Sequence, residues 1–558
     1  MKENIEKLVK EALLSLGVSA SEVVVEHPTD LSHGDYATNA ALAYAKEVGK
    51  SPRELAEGIV KALRQAQGDF IEEIKIAGPG FINFHLSKEF FEKSVGEIVE
   101  KGERFGRGET LKGEKIMVEY TDPNVMKPFH IGHLMSNSIG EAISRITEWN
   151  GADVMRMNYY SDSGLGIAKA VWGMKAKKDD FPKENASLSE KAKFLGSAYA
   201  YGVSKSAEDE EVVLEVKDIN KKIFSRDDEE VNKLYDLGKK WSLEHFEELY
   251  KMLGTTFDWS VGESEVSEEG KEIVLKFLEK GIFEKSEGAI VFHGEKYNPH
   301  LHTRVFISKE NLPIYEAKEL GLTKRKFEKY DLDQSVVITA SEQNDYFKVV
   351  LEALKHISPD YALKTKHISH GMLRLPTGKM SSRTGNVITA EELIDRVKEA
   401  IKSKGDTAQE EVAIGAIKYM ILRQSIGNDI VFDFEKSVST EGDSGVYLQY
   451  AYVRANSILS KANVSTSQVD HSDRETHPLE KMLYRFPEIV ERAMKEYAPN
   501  YLTTYLTEIA GSFNNLYAHE QIISDKPESV YLLSITEAFK TVMKNGLTIL
   551  GIPTPEKM

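Results

Sequence analysis

Cysteine is absent from all 558 residues, so the chain forms no disulfide and offers no thiolate to a metal. A reducing compartment, the cytoplasm, suits such a chain. No apolar run is long enough to span a bilayer, so no membrane partner is expected. Positive charge is also short: 72 basic residues face 89 acidic ones, for a net charge of −17. That balance favours solubility over general affinity for nucleic acid, and any RNA contact must run through a local basic patch or a shaped groove. Internal repeats are missing too. Glu3, Glu6 and Glu11 in the opening helical pattern argue against a transit or signal peptide.

What is present describes a globular protein, 41% hydrophobic and 29% charged, too long for a single core. Ile5, Leu8, Ala12, Leu13 and Leu16 share one helix face, with Gly17 as the stop. Ser51-Pro-Arg-Glu54 opens another helix with a serine cap and a proline at its first position. A Gly-Pro-Gly turn inside Ile76–Leu86 leads into alternating strand residues. The charged, glycine-flanked stretch Glu103–Lys112 reads as a linker.

Beyond it, strand candidates Ile116–Tyr120, Val154–Met157, Ala289–His293, Val336–Thr339 and His367–Met372 alternate with helical patterns, the signature of a doubly wound parallel sheet. The expected fold class is α/β. An N-terminal α+β domain covers 1–108 and a Rossmann-type parallel-sheet domain covers 109–430, interrupted by a helical insertion at about 174–253. An all-α bundle over 431–558 closes the chain.

The most informative segment is Val118-Glu-Tyr-Thr-Asp-Pro-Asn-Val-Met-Lys-Pro-Phe-His-Ile-Gly-His133. An apolar strand, a turn with Pro123 and Pro128, and a helical pattern from about His133 to Trp149 follow one another. Lys127, His130 and His133 therefore sit at a strand-to-helix junction, where free backbone N–H groups and the helix dipole favour phosphate. Gly132 would let a flat ring approach the backbone. A histidine pair at this spacing could also hold a metal, but no third ligand stands nearby in sequence. A second segment, Gly378-Lys-Met-Ser-Ser-Arg-Thr-Gly-Asn386, supplies Lys379, Ser381, Ser382 and Arg383 on a glycine-bounded loop suited to a polyphosphate. Taken alone it could be an ordinary surface turn.

In this order, with a Rossmann-type pattern between them, the two segments resemble the HIGH and KMSKS signatures of class I aminoacyl-tRNA synthetases. Within that class the chain resembles arginyl-tRNA synthetases over essentially its whole length. Val118–His133, His33-Gly-Asp-Tyr-Ala-Thr-Asn39, Gly415-Ala-Ile-Lys-Tyr419, Gly445-Val-Tyr-Leu-Gln-Tyr450 and Gly551–Met558 carry the likeness.

The resemblance implies ATP-dependent ligation of L-arginine to tRNA(Arg) through an arginyl-adenylate, with Mg²⁺ accompanying ATP and no protein metal site. It also implies a monomer. A guanidinium is planar and carries five donors, so its recognition demands oriented carboxylates. By resemblance, Glu119, Asp162 and Glu319 supply them, Glu319 standing where the family usually has aspartate. Asn124 and Gln343 hold the amino and carboxylate groups, and Tyr315 is a pocket wall. ATP falls to His130, Gly132, His133, Lys379, Ser381, Ser382 and Arg383, with the backbone of Gly371 and Met372 on the adenine. His130, His133, Lys127 and Lys379 stabilise the charge that spreads in the reaction. Ser382 and Thr384 replace family lysines, for which Lys127 or Arg383 would compensate. Tyr447, Gln449, Tyr450 and Arg454 would meet the anticodon loop, Tyr450 being equally suited to packing. Tyr36 and Asn39 would meet the tRNA elbow.

Synthetases for cysteine or glutamate remain rival readings, as do a non-catalytic RNA-binding relative and a small-molecule adenylyltransferase. The missing cysteine, the acidic pocket and the retained histidine pair and lysine weigh against them.

Overall fold

The computed structural model describes residues 1–66, 70–376, 388–403, 409–462, 475–526 and 528–558. The chain forms two compact units, one of Met1–Phe105, Arg454–Phe486 and Gly511–Val542, the other of Gly106–Val453, Pro487–Ala510 and Met543–Met558.

In the first unit, strands Val25–Glu26, Tyr36–Thr38, Phe81–Leu86 and Ile71–Ala77 pair antiparallel in that spatial order. The turn before Phe81–Leu86 is the expected Gly-Pro-Gly, with Gly78 and Gly80 at positive φ. Helices Lys2–Ser15 and Pro52–Ala66 close the core, burying Ile5, Val9 and Leu13 from one and Leu55, Ile59 and Leu63 from the other. Ser51 and Glu54 form the reciprocal cap read from the sequence.

The second unit is built on a five-stranded parallel sheet. Its strands are β1 (Lys115–Glu119), β2 (Asp153–Tyr160), β3 (Trp259–Gly262), β4 (Gln334–Ala340) and β5 (Thr365–His370), in spatial order β5-β4-β1-β2-β3. Register aligns Glu119 with Met157 on one side and Val337 on the other. From β1 the chain first winds toward β2 and β3, then returns to lay β4 on the opposite side, so a topological switch point lies beside β1. The helices used below are α1 (Ile131–Trp149), α2 (Leu165–Ala176), α3 (Leu188–Glu208), α4 (Glu210–Ser225), α5 (Glu229–Leu253), α6 (Glu263–Leu278), α7 (Tyr315–Tyr330) and α8 (Asn344–Ile357). The insertion expected at about 174–253 is helical, made of the end of α2 with α3, α4 and α5.

Two strand assignments change. Ala289–His293 is not in the parallel sheet. It is the middle of a separate antiparallel sheet between Glu284–Ser286 and Thr303–Ile307. The reason is local: Glu287 and Gly288, both at positive φ (47° and 87°), make a two-residue hairpin turn that fixes an antiparallel partner. The parallel edge strand is β3, which the reading missed because Trp-Ser-Val-Gly lacks an apolar run. After Val431 the described residues hold helices and no strand, and Leu502, Leu506, Ile509, Phe513 and Leu516 are buried on one helix face as the spacing implied.

α1 packs hard against the end of β1. A Cβ on Gly140 would lie 2.1 Å from the Tyr120 ring, itself fully buried. Gly140→Ala is therefore expected to destabilise by about 1–3 kcal/mol through overpacking, read as a lower thermal midpoint. Gly96→Ala serves as the control: that helical position opens on free space, so the change should be neutral or stabilising by up to about 1 kcal/mol.

Candidate functional site

β1 ends in an unusual turn. Thr121 and Asp122 have φ of 83° and 46°, and Met126 has 58°. Left-handed backbone at non-glycine residues is strained and persists only where surroundings enforce it. Here α1 enforces it: the Thr121 N–H donates to Ser136 Oγ (3.0 Å) and Asn137 Nδ2 donates to Thr121 Oγ1 (3.0 Å). The Tyr159 N–H of β2 donates to Asp122 Oδ1 (2.9 Å), and Ser242 of α5 accepts the Met126 N–H (2.7 Å).

Around this turn the ends of the strands enclose a cavity of about 770 Å³. Its walls bring together Glu119, Asn124, His130, Gly132, His133, Tyr315, Glu319, Gln343, Gly371 and Met372, all expected from the sequence. Lys127 and Asp162 do not line it. The Lys127 ammonium donates to Asn124 Oδ1 (2.8 Å), and burial holds it below the ordinary lysine range. Lys379, Ser381, Ser382 and Arg383 lie outside the described residues.

The acidic end of the cavity is deeply buried. Glu119, 2% exposed, pairs with the Lys326 ammonium, 1% exposed. Burial first, and the Glu119 charge second, push the Glu319 carboxyl up to about 8, against the pull of Lys326. Asp122 is held well above the usual carboxylate range by the same two causes. Glu263, at the start of α6, also faces the cavity and pairs with Lys318 at 2.7 Å.

At the other end, His130 caps α1. Its Nδ1 accepts from the backbone N–H groups of Gly132 (3.1 Å) and His133 (3.4 Å), while His133 Nδ1 accepts from the His130 N–H (3.3 Å). The rings stack with centroids 3.7 Å apart. Because both Nδ1 atoms accept, both rings are neutral and keep one donor each, at Nε2. Burial lowers His130 to about 4, and lowers His133 as well, with the neighbouring Lys127 adding to both. The flat ring that crowds Gly132 is His130 itself: a Cβ there would lie 2.9 Å from the imidazole.

Several expectations need correction. Asp162 is not a pocket acid. It is fully buried and spent on Lys239 (2.7 Å) and on the N–H (2.8 Å) and hydroxyl (2.7 Å) of Ser264 in the first turn of α6. The backbone N–H groups of Gly371 and Met372, which line the cavity, are already engaged. The Gly371 N–H donates to Ile426 O (2.9 Å) and the Met372 N–H to Asp429 Oδ1 (2.8 Å), while Met372 O accepts from the Ile430 N–H (2.8 Å). Tyr36 is core, fully buried with its ring 4.3 Å from that of His27. Gln449 is fully buried and donates to Glu411 O (3.2 Å) and Pro553 O (2.8 Å), so it anchors the C-terminal tail. Asn39 and Tyr450 are exposed, and Tyr447 is half-buried. Arg454 bonds Asn514 and covers the Tyr517 ring at 4.6 Å.

The sequence reading missed Asp122, Glu263, Lys318 and Lys326. Lys326 had a signal, since it follows Glu319 by seven residues and so shares its helix face. Glu263 went unnoticed with β3, the strand that delivers it.

Comparison with known proteins agrees with this architecture. Residues 94–434 match the family described as tRNA synthetases class I (R), catalytic domain, residues 3–86 the arginyl tRNA synthetase N terminal domain, and residues 448–558 the DALR anticodon binding domain. An arginine--tRNA ligase of Halothermothrix orenii is 30% identical over 593 aligned residues, spanning 100% of this chain and 99% of its own. One from Clostridium botulinum is 30% identical and covered end to end in both chains. Among solved structures, the arginyl-tRNA synthetases of Thermus thermophilus (TM-score 0.83, 23% identity, all of both chains) and Plasmodium falciparum (0.80, 21%, 100% of this chain and 99% of that one) share the fold. With matched domains over most of its length and full-length relatives at this identity, the chain belongs to the arginyl-tRNA synthetase family of class I aminoacyl-tRNA synthetases.

Proposed function

We propose that the chain ligates L-arginine to tRNA(Arg) through an arginyl-adenylate, consuming ATP and releasing AMP and pyrophosphate. The observation that carries this reading is one cavity with two chemically opposite ends: buried carboxyls on β1 and α7, and two neutral histidines at the N-terminus of α1. The guanidinium enters the acidic end, against Glu119 and Glu319, with Tyr315 as a wall. Asn124 and Gln343 meet the amino and carboxylate groups of the amino acid. This orients the arginine carboxylate toward the α-phosphorus, so the first step relies on placement and charge stabilisation rather than on a protein nucleophile.

At the phosphate end His130 and His133 act as Nε2–H donors at a helix N-terminus whose first N–H groups are already capped, not as imidazolium cations. Lys127 acts through Asn124, and Asp162 acts by fixing the first turn of α6 beside Glu263. Lys379, Ser381, Ser382 and Arg383 are assigned to the polyphosphate on the sequence alone. Mg²⁺ would ride on the phosphates and neutralise pyrophosphate. Asn39, Tyr447, Tyr450 and Arg454 remain the candidates for tRNA. The functional division is 1–108, 109–430 and 431–558, and the working unit is a cytoplasmic monomer.

Charging of bulk tRNA with radiolabelled arginine, and not with lysine, is the direct test; equal incorporation of both would overturn the assignment. Neutral histidines set a pH expectation. His130 gains a proton only toward pH 4, so kcat at saturating arginine should stay within about twofold from pH 6 to 8. A loss of rate centred on the ordinary histidine range would contradict it. Lys127→Ala should lower pyrophosphate exchange by about 10–100-fold, mostly in the arginine KM, because Asn124 loses its tether. Near-normal rates would remove Lys127 from the site.

A further inference from the structure

Lys326 does not line the cavity but stands behind its acidic wall, and it is the least expected group there. It projects from α7 one heptad after Glu319, is almost wholly enclosed, and its ammonium meets Glu119, the last residue of β1. Three carboxyls converge there, Glu119, Asp122 and Glu319, and Lys326 faces all three. The nearby Glu263 has a cation of its own in Lys318, and Glu316 is paired to Arg304 at 2.9 Å. The remaining titratable neighbours are the phenols of Tyr159 on β2, Tyr346 on α8 and Tyr250 on α5, all held neutral by burial.

We propose that Lys326 is a positioning residue, a resident counter-cation that orients Glu119, and that arginine binds beside it while a proton leaves the Glu319–Asp122 carboxyl pair. The inference rests on assigning the cavity to arginine. Three ionised carboxyls against one ammonium would leave two uncompensated buried charges, which a low-dielectric site does not sustain. At least one carboxyl therefore carries its proton in the unliganded protein, in keeping with the raised values of Glu319 and Asp122. Arginine brings a second fixed cation. The charged form of the pair is then favoured, a carboxyl O–H bond breaks, and its proton passes to buffer. A guanidinium, always charged and carrying five donors, can bridge two carboxylates while Lys326 keeps the third.

Calorimetric titration of L-arginine into the full chain near pH 7.5, in phosphate and in Tris, reads proton release from the difference in heat. About 0.5 proton or more per arginine is expected, and fewer than about 0.1 overturns the inference. Binding without proton release leaves the arginine assignment standing, whereas no binding heat in either buffer overturns both. Asp122→Asn keeps the acceptor for the Tyr159 N–H and should lower the proton count; an unchanged count overturns the share given to Asp122. Lys326→Met should raise the arginine KM about tenfold or more with kcat within about threefold, and move the acid limb of kcat/KM to higher pH. Lys326→Arg should restore both. A Lys326→Met enzyme with unchanged KM and pH profile overturns the positioning role, and the calorimetry of the unaltered protein stands even if that variant fails to fold.

Discussion

The left-handed turn at Thr121 and Asp122 is the constraint on which the rest of the site depends. A strand that simply continued past Glu119 would carry Asn124 some way along the sheet and leave α1 without its starting point. Reversing the backbone at two successive non-glycine residues instead keeps Asn124 in a β-bridge with Ser161 and lets the chain enter α1 seven residues later. Each such residue costs about 1–3 kcal/mol. The hydrogen bonds from Ser136, Asn137, Tyr159 and Ser242, at about 0.5–1.5 kcal/mol each, offset a strain of the same order. The partners come from α1, β2 and α5, so the turn holds its shape only in the folded unit.

This placement separates two electrostatic tasks. On the proposed assignment the acidic end holds a cation that never titrates, and burial with paired lysines keeps its carboxyls fixed in direction. On the same proposed assignment the histidine end accepts a highly charged group and then lets pyrophosphate go. A cradle of imidazolium ions would hold the product as firmly as the reactant. Neutral Nε2–H donors at the positive end of the α1 dipole give direction without full charge, a balance suited to groups that must leave. The reciprocal cap explains why two histidines stand three residues apart: each uses Nδ1 to satisfy an end of α1, which commits the other nitrogen to donation.

Much of this was legible in the sequence, for identifiable reasons. The strand, proline turn and helix around Val118–His133 announce a phosphate-favouring junction because each element has a strong local signal. Glu119, Asn124, Glu319 and Gln343 were found by motif likeness and do line one cavity. What escaped were properties that exist only after folding. Tyr36 and Gln449 look like surface contacts until burial shows them holding core and tail. Asp162 carries the right chemistry at the right strand end, but Lys239 and Ser264 had already claimed it. Lys326 looks like a solvated lysine on a charged helix, and only the pairing of α7 with β1 puts it indoors.

The helical insertion shows how distant sequence serves the turn. Its last helix, α5, sends Ser242 to Met126 and Lys239 to Asp162, and the segment just after it sends Thr255 to Asn137 Oδ1 at 2.9 Å. Asn137 is the residue whose other amide atom holds Thr121. The insertion therefore braces both the strained turn and the start of α6, where Glu263 begins. A change that loosened α5 would disturb the cavity without touching its wall, because the carboxyls keep their direction only while the backbone beneath them is held. The insertion is thus part of the cavity in mechanical terms, though no residue of α5 lines its wall.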